Sequence, residues 1–395
     1  MTVQKADVVV VGGGVIGSAA AWRLALRGLD VVLLERFGPG HARGASHGAS
    51  RIFRVSYPDQ VHIGLAHEAF TLWRELEDVT WTSLLTVTGG VEHGDHPYLD
   101  ELADALAHAG VAREWLSPAE ATSRWPGLRF DARVLFHPGS GRLHANRSVT
   151  ALQEAAAKEG AIVRHHARVT ALTVRGDADV EIVLGPDDGP PGPGGAARAA
   201  LPDRYRARRV VVAAGAWTGA LLGGLVPLPP LRVTQEQPAH FAPRQADAHA
   251  SDGWPDQWPS FGHLLAPGSD EGIAYRGGVY GLATPGEGVK IGFHGTGPVV
   301  DPDRRDFQPE AGQLAALRDY VARSVPGADP DDLVPISCTY TSTPDSAFVL
   351  DRHGPVVVAA GFSGHGFKFA PALGRLLADL AVDGHRPDPR FSSRC

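Results

Sequence analysis

The chain has 395 residues, more than one typical hydrophobic core holds, so two domains are expected. Its hydrophobic and charged fractions, 43% and 21%, are ordinary for a globular protein, and a net charge of −7 without a basic block argues against a nucleic-acid partner. The N-terminus shows no secretory or membrane-spanning pattern, so a cytoplasmic protein without a membrane partner is expected. The two cysteines, Cys338 and Cys395, give neither a disulfide framework nor a metal cluster, so no metal is predicted.

The first predicted elements are a strand, a glycine turn and a helix in the order of a dinucleotide-binding unit. Residues 8–11 are an apolar, β-branched run typical of a buried parallel strand. Gly12, Gly14 and Gly17 then have the Gly-x-Gly-x-x-Gly spacing. This spacing serves a tight turn, the approach of backbone amides to a pyrophosphate, and close packing of helix on strand. The helix N-terminus would face the phosphates with its positive dipole end.

The next predicted strand, at 30–34, is followed by an acidic residue, Glu35. A carboxylate at this position accepts hydrogen bonds from the hydroxyls of an adenosine ribose and repels a 2′-phosphate. The whole unit therefore predicts FAD or NAD(H) and argues against NADPH at this site.

Elements of a nucleotide-binding domain recur along the chain. A helix is predicted at 62–77, a second at 147–159 with Asn146 as its N-cap, and strands near 161–166, 168–174 and 180–184. The Gly/Pro-rich stretch 185–202 predicts a flexible hairpin tip. Buried strands beginning at 209 and 356 each run into a small-residue turn, and the second is followed by a helix at 370–382. This order predicts a discontinuous cofactor domain with a substrate domain inserted in two pieces.

Lysine is rare in this chain. Lys5, Lys158, Lys290 and Lys368 are the only lysines among 37 basic residues. Because a surface charge could equally be arginine, Lys290 and Lys368 are candidates for positions that need a compact ammonium group. The alternative is that they are ordinary surface lysines retained by chance.

Four segments carry a resemblance to a known family. They are Gly12–Gly17 with Glu35; Ser-His-Gly-Ala-Ser-Arg-Ile-Phe-Arg at 46–54; Tyr280 through Lys-Ile-Gly-Phe-His at 290–294; and Cys-Thr-Tyr-Thr-Ser-Thr-Pro-Asp at 338–345 followed by Gly-Phe-Ser-Gly-His-Gly-Phe-Lys at 361–368. The chain resembles, nearly end to end, the monomeric sarcosine oxidase family of FAD-dependent amine oxidases, which has N-methyltryptophan and pipecolate oxidases as relatives. The last pair of segments is specific, because few other families combine them. Ala49 departs from the acidic residue that the family often has there, which bears on hydrogen bonding in the loop and not on the reaction class.

The resemblance implies an α/β fold, more closely an α+β two-domain flavoprotein. A Rossmann-type FAD domain would comprise 1–85, 145–217 and 335–395, and an antiparallel-sheet substrate domain 86–144 and 218–334. It implies oxidation of a secondary amino acid, N-methylated or similar, to an imine, with O₂ reduced to hydrogen peroxide. The partners would be a small amine and O₂, and the protein a monomer or small homo-oligomer.

The amine itself is left open by the resemblance. One alternative is an oxidase of a cyclic imino acid such as pipecolate or a proline-like ring, and an alternative of another class is a flavin-binding protein without oxidase turnover. A flavin monooxygenase or halogenase is disfavoured, because the sequence has no second nicotinamide-type glycine motif and no Trp-x-Trp-x-x-Ile-Pro.

The family's catalytic and binding residues match particular positions of this chain. Cys338 matches the cysteine that forms a thioether to the flavin, and Lys290 the lysine over the flavin ring that is implicated in the reaction with oxygen. Arg54 and Lys368 match the pair that binds the substrate carboxylate, and Arg51 the arginine under the flavin. Without the family, Cys338 would be read as a buried core residue and the charged groups as solvated.

Further residues are predicted to line the site on the same basis. Tyr280, His294 and Tyr340 match residues of the amine pocket, and His47 matches a histidine near the flavin; each has core packing as its alternative. Gly364 is expected to contact both substrate and cofactor, and His365 to contribute through its backbone. The remaining predicted cofactor contacts are Val15, Ile16, Arg43, Ser46, Val169, Gly215, Trp217, Gly361 and Gly366, with Arg51 and Lys368 counted in this set as well.

Overall fold

The computed structural model describes residues 3–186, 202–244 and 257–393. Its strands are, in chain order, β1 (Val3–Val11), β2 (Val31–Leu34), β3 (Arg51–Phe53), β4 (Leu85–Val87), β5 (Gly90–His93), β6 (Glu114–Leu116), β7 (Val134–His137), β8 (Gly141–Leu143), β9 (Ile162–Arg164), β10 (Val169–Gly176), β11 (Asp179–Leu184), β12 (Arg204–Val212), β13 (Arg232–Glu236), β14 (Ala239–Pro243), β15 (Ser260–His263), β16 (Val279–Thr284), β17 (Gly288–Phe293), β18 (Ala328–Pro335), β19 (Cys338–Ser342), β20 (Val349–His353) and β21 (Val356–Ala360). Its α-helices are α1 (Val15–Ala25), α2 (Gln60–Thr80), α3 (Tyr98–His108), α4 (Pro118–Arg124), α5 (Ala145–Lys158), α6 (Thr218–Leu222), α7 (Asp270–Ala274), α8 (Ala311–Ser324) and α9 (Ala370–Val382).

The first large sheet has eight strands in the order β10–β11–β12–β1–β2–β9, with β21 also beside β12 and β20 beside β21. The neighbours β21, β12, β1, β2 and β9 run parallel to one another. Val8 and Val10 of β1 lie in one apolar core with helices α1, α2, α5 and α9, whereas Val9 and Val11 lie in a second core on the opposite face. A parallel sheet needs both faces covered, so this arrangement explains the continuous valine run. The predicted Rossmann-type α/β fold is confirmed.

The second large sheet also has eight strands, in the order β18–β14–β17–β16–β15–β5–β7–β6. Apart from the parallel pair β15–β5, its neighbours are antiparallel. Its apolar core includes Phe241, Val289 and Ile291 from the central strands, packed with Leu317 and Val321 of α8. One face of this sheet is therefore anchored, which leaves the other to line a cavity.

The division of the chain into domains at 1–85, 145–217 and 335–395 against 86–144 and 218–334 stays a prediction. Two small sheets cross these bounds. Strand β8 pairs with both β3 and β4, and β13 pairs with β19 over Glu236 opposite Cys338. The two halves are thus joined by hydrogen-bonded strands as well as by the connecting chain.

Several element boundaries differ from the sequence prediction. Strand β1 begins at Val3 because its first half is paired with β12, although its side chains there are partly exposed. The prediction that Asn146 caps a helix is wrong: α5 begins at Ala145 with His144 as its N-cap. The Asn146 amide oxygen instead accepts a hydrogen bond from the Gly48 N–H at 2.9 Å, which ties α5 to the glycine-rich loop.

Some predictions fall wholly or partly on residues 187–201 and 394–395. The predicted hairpin tip at 185–202 lies, apart from its first two and last residues, outside the described part of the chain, as does Cys395. Within the described ranges, no helix combines the length and apolar character of a bilayer span. The same residues contain no cluster of His, Cys, Asp and Glu suited to a metal ion.

Three glycine turns follow three neighbouring parallel strands of the first sheet. Gly12 follows β1, Gly215 follows β12, and Gly361 follows β21. Because the carboxyl ends of parallel strands meet at one edge of a sheet, these turns converge there, and that edge is where open α/β sheets bind ligands.

Candidate active site

A cavity of about 830 Å³ runs from the glycine turns of the first sheet to the face of the second. Its lining includes all but two of the residues predicted for the site. They are Gly12, Gly14, Val15, Ile16, Glu35, Ser46, His47, Arg51, Arg54, Val169, Gly215, Trp217, Tyr280, Lys290, His294, Cys338, Tyr340, Gly361, Gly364, Gly366 and Lys368. The two predicted residues outside this lining are Gly17 and Arg43.

The turn after β1 is built for close backbone approach. Gly12 has φ +105°, and a Cβ there would lie 2.4 Å from the Ala213 carbonyl oxygen. A Cβ at Gly17 would lie 1.9 Å from the Gly12 carbonyl oxygen, so Gly17 serves the packing of helix on strand rather than the cavity wall. Helix α1 has no side-chain cap on Gly14 and no acidic residue in its first turn. Its N-terminus therefore presents N–H groups and positive dipole to an anion such as a pyrophosphate.

Glu35 is a buried carboxylate at the far end of the glycine turn. Its Oε2 accepts a hydrogen bond from Gly13 N–H at 2.7 Å and its Oε1 one from Phe37 N–H at 2.8 Å. His41 Nε2 lies 3.3 Å from Oε1. Although burial opposes ionisation, His41 and these N–H groups outweigh it and lower the pKa of Glu35. An ionised acceptor at this place suits ribose hydroxyls.

Aromatic side chains also lie at this end of the cavity. Trp217 donates from Nε1 to Asp303 at 2.9 Å and packs against Phe37 with ring centres 5.4 Å apart. Arg43 is exposed, and its guanidinium lies over Phe37 and Phe307 at 5.8 and 5.5 Å from the ring centres. Arg43 thus packs on the outside of the loop that encloses this end.

The opposite end of the cavity is rich in positive charge. Arg51 donates to the carbonyl oxygens of Ser50 and Ala45 at 2.8 and 2.9 Å, and its Nη2 lies 3.8 Å from Cys338 Sγ. Cys338 is a buried free thiol on β19. The sulfur thus faces a guanidinium, a neighbour typical of reactive cysteines.

Lys290 and His47 face the same end. Lys290 lies on β17 and is buried; burial and the nearby Arg51 lower its pKa to about 7. Burial, Arg51 and Lys290 lower the pKa of His47 to about 3, so its imidazole is neutral near pH 7. His47 Nε2 is buried without a hydrogen-bond partner in the structure. A buried polar atom of this kind, on the cavity wall, fits a bound group with its own polar edge.

Two tyrosines and a histidine form the wall between these charges and the second sheet. The Tyr340 hydroxyl lies 3.2 Å from His294 Nδ1. Burial, together with Arg54 and Lys368, lowers the pKa of His294 to about 4, and burial raises the pKa of Tyr340 and of Tyr280. All three side chains are therefore uncharged near pH 7, which suits a neutral amine.

Gly364 lies directly against the ring of Tyr340. It has φ +79°, and a Cβ there would lie 2.2 Å from Cε2 of Tyr340. A side chain at this position would push the tyrosine ring out of place.

Arg54 and Lys368 both line the cavity, and each lies beside a neighbour that the sequence did not indicate. Lys368 Nζ donates to the Tyr57 hydroxyl at 2.9 Å and to the His365 carbonyl oxygen at 2.8 Å. Arg54 Nη1 lies 3.2 Å from Oε1 of the buried Glu92. Tyr57 could have been predicted as a neighbour of Arg54, because it is only three residues further along the same loop. No pattern in the sequence around Glu92 predicts its contact with Arg54.

The residues present fit FAD. The cavity lining combines a carboxylate with aromatic groups, the N-terminus of α1, and Arg51, Lys290 and His47, whose Nε2 has no partner. These match the needs of a ribose, a pyrophosphate and a ring that becomes anionic on reduction.

Comparison with known proteins agrees with this geometry. The family model described as FAD dependent oxidoreductase matches residues 7–380. The chain is 31% identical to monomeric sarcosine oxidase of Bacillus sp. (strain B-0618) over 393 residues, covering 96% of this chain and 92% of that protein. It is 33% identical to peroxisomal sarcosine oxidase of Homo sapiens over 395 residues, covering 95% and 92%.

A solved structure shares the fold over its whole length. The open form of NikD, described as an unusual amino acid oxidase essential for nikkomycin biosynthesis, matches with a TM-score of 0.81 and 27% identity. The match covers 99% of this chain and 98% of that one.

Proposed function

Because the chain belongs to the FAD-dependent oxidoreductase family and, within it, to the monomeric sarcosine oxidase family, we propose that it oxidises the C–N bond of a secondary, N-methylated or similar amino acid to an imine while O₂ is reduced to hydrogen peroxide. The chain is a FAD-dependent amine oxidase. The proposal is supported above all by one observation: a single cavity is lined by Lys290 on β17 of the second sheet, Cys338 on β19 of a small two-stranded sheet and Lys368 in the turn after β21, although these residues are distant in sequence.

FAD, when bound, supplies the two-electron chemistry of the reaction. Glu35 and the N-terminus of α1 would hold its adenosine and pyrophosphate. Arg51 would lie beside its ring and favour negative charge there, and Cys338, with that guanidinium at 3.8 Å, is proposed as the point of covalent attachment. Lys290 would stabilise the negative charge that develops when O₂ is reduced.

On the substrate side, Arg54 and Lys368 would bind the carboxylate and so fix the amino acid relative to the cofactor. The amine would then face the uncharged Tyr280, Tyr340 and His294. A neutral wall favours the neutral amine, the form whose nitrogen lone pair can assist C–H bond cleavage, since burying an unpaired ammonium is costly.

The function is tested by a panel of amines assayed for peroxide release without NAD(P)H. N-methyl amino acids such as sarcosine are expected to give O₂-dependent peroxide and an imine-derived product. Pipecolate and proline belong in the panel because a preference for them would favour the cyclic imino acid alternative. A FAD-loaded protein that releases no peroxide with any amine of the panel, and whose cofactor none of them bleaches without oxygen, would leave only flavin binding.

We expect the flavin to be covalently attached through Cys338. Acid denaturation of the matured wild-type enzyme should leave the yellow colour in the precipitate, while the Cys338→Ala variant should release FAD into the supernatant. The reason is that the Cys338 sulfur lies in the cavity next to Arg51 and can serve as the nucleophile, whereas alanine has none. The measurement is the flavin absorbance of the precipitate and of the supernatant, together with the mass of the denatured chain. Free FAD in the wild-type supernatant would refute covalent attachment without touching the reaction class.

A further inference from the structure

The ammonium group of Lys368 is buried and donates hydrogen bonds to two acceptors. Lys368 is only 4% exposed, and its Nζ donates to the Tyr57 hydroxyl at 2.9 Å and the His365 carbonyl oxygen at 2.8 Å. An ammonium has three N–H donors, so these bonds leave one for the cavity that Lys368 lines. Because an unpaired buried charge is costly, these two acceptors favour the ammonium form.

Tyr57 contacts the second cation of the pair as well. The Arg54 guanidinium carbon lies 5.0 Å from the centre of the Tyr57 ring, and Lys368 Nζ lies 5.5 Å from the same centre. Burial raises the pKa of Tyr57 to about 12 although Arg54 opposes the rise, so its hydroxyl is neutral and can accept hydrogen bonds. Tyr57 itself is not part of the cavity lining, so any effect on substrate must pass through its two neighbours.

The tyrosine ring is held in place from behind. It stacks on His62 with ring centres 5.2 Å apart and planes at 17°, and it packs against Phe369 at 5.3 Å. His62 is in turn hydrogen-bonded to Asp59, the N-cap of α2, at 2.8 Å. The hydroxyl is therefore at a position that helix α2 and the aromatic cluster determine, not at the end of a mobile side chain.

We propose that Tyr57 is a positioning residue that holds Lys368 and Arg54 as a fixed, charged pair for the substrate carboxylate. This inference rests on the proposed function, in which those two cations bind that carboxylate. Fixing both donors before the ligand arrives lowers the ordering cost of binding, since neither long side chain has to be immobilised by the substrate.

Tyr57 also bears on the charge of Lys368. The charged and titratable groups around the ammonium are Arg54, Tyr57, His62, Glu92, His294 and His365. Burial and Arg54 lower the pKa of Lys368, and Glu92 opposes them. A hydrogen bond to the charged form favours that form, so removal of the Tyr57 hydroxyl lowers the pKa of Lys368 further. Carboxylate binding needs the ammonium and is lost as pH rises through that pKa.

The test compares Tyr57→Phe with Tyr320→Phe in FAD-loaded enzyme. Both changes delete a buried tyrosine hydroxyl that bonds a side chain; that of Tyr320 bonds His263 at 3.0 Å and lies in the core of the second sheet. Acetate is the probe and acetamide its uncharged counterpart, and binding is read from the shift of the flavin absorption band. Tyr57→Phe is expected to raise the dissociation constant of acetate about tenfold, leave that of acetamide nearly unchanged, and move the decline of acetate binding to lower pH. Tyr320→Phe is expected to change none of these.

The outcomes separate the two hypotheses. If Lys368→Ala weakens acetate binding but Tyr57→Phe alters neither its strength nor its pH dependence, the positioning role is overturned and the proposed function stands. If Lys368→Ala itself leaves acetate binding unchanged, the carboxylate site fails. Should Tyr57→Phe not fold, His62→Ala decides, because it removes the ring on which Tyr57 stacks: acetate binding unchanged in strength and in pH dependence overturns the inference.

Discussion

Replacement of Lys290 by methionine is expected to slow reoxidation of the reduced enzyme by O₂ about 10²–10³-fold, equivalent to about 2.7–4 kcal/mol, by analogy with the loss of one oxyanion-stabilising donor. Methionine has nearly the shape of lysine but no charge, so the variant removes the ammonium while it fills the same buried space on β17. Anaerobic reduction by substrate is expected to change little, because Lys290 faces the end of the cavity that also holds Arg51 and Cys338. Stopped-flow absorbance of the two half-reactions, measured separately, gives the comparison.

The pH dependence of the same step follows from the surroundings of Lys290. With a pKa lowered to about 7 by burial and Arg51, the ammonium is present below that pH and is lost above it. A negative charge beside Lys290 raises the pKa of its ammonium group. The ammonium is therefore favoured most when negative charge develops on O₂. Reoxidation is therefore expected to decline as pH rises through the neutral range or above it. Lys158→Met, at an exposed end of α5, is the matched control. Equal slowing of both half-reactions would contradict a role toward oxygen.

The second large effect is expected at the carboxylate-binding pair. Loss of one charged hydrogen-bond partner costs about 1.5–3 kcal/mol, or roughly 10- to 150-fold in affinity. Lys368→Ala should weaken carboxylate ligands by that order and leave uncharged amines little changed. Arg54→Lys should also weaken them, because lysine lacks the planar fork that can bond Glu92 and a ligand at once.

A pair of ligands that differ only in the carboxylate tests this prediction directly. Anaerobic titration of the flavin absorbance with an N-methyl amino acid and with its decarboxylated analogue measures the contribution of the carboxylate in each variant. The wild type is expected to prefer the amino acid strongly, and Lys368→Ala to remove most of that preference. Equal binding of both ligands by the wild type would show that the pocket recognises the amine alone.

Sequence patterns predicted those parts of the molecule whose chemistry is local. The turn after β1 could be predicted because its glycine spacing, the valine run before it and Glu35 after β2 belong to one short unit. The backbone role expected of His365 stays a prediction, and its carbonyl oxygen accepts a hydrogen bond from Lys368. The glycine turn and the Lys368–His365 contact each involve residues that are close together in the chain, so their spacing in the sequence is enough to predict them.

What escaped prediction depends on contacts between distant segments. Glu92 becomes part of the site only because β5 joins the second sheet beside β15, which places it against Arg54. The capping prediction for Asn146 failed because its amide found a partner in the loop at Gly48, about a hundred residues earlier in the chain. Arg43 packs on neighbouring aromatic rings outside the cavity, an outcome that its place in a glycine-rich loop does not reveal.

The order of strands in the first sheet has a consequence for biosynthesis. Strand β1 is made first, yet its neighbour β12 is completed only at Val212, and β21, which flanks β12, only at Ala360. A ribosome emits the chain from the N-terminus, so the glycine turn at Gly12 lacks part of its cavity wall until residue 360 has emerged. The complete cavity for FAD therefore forms only after β21 has been synthesised.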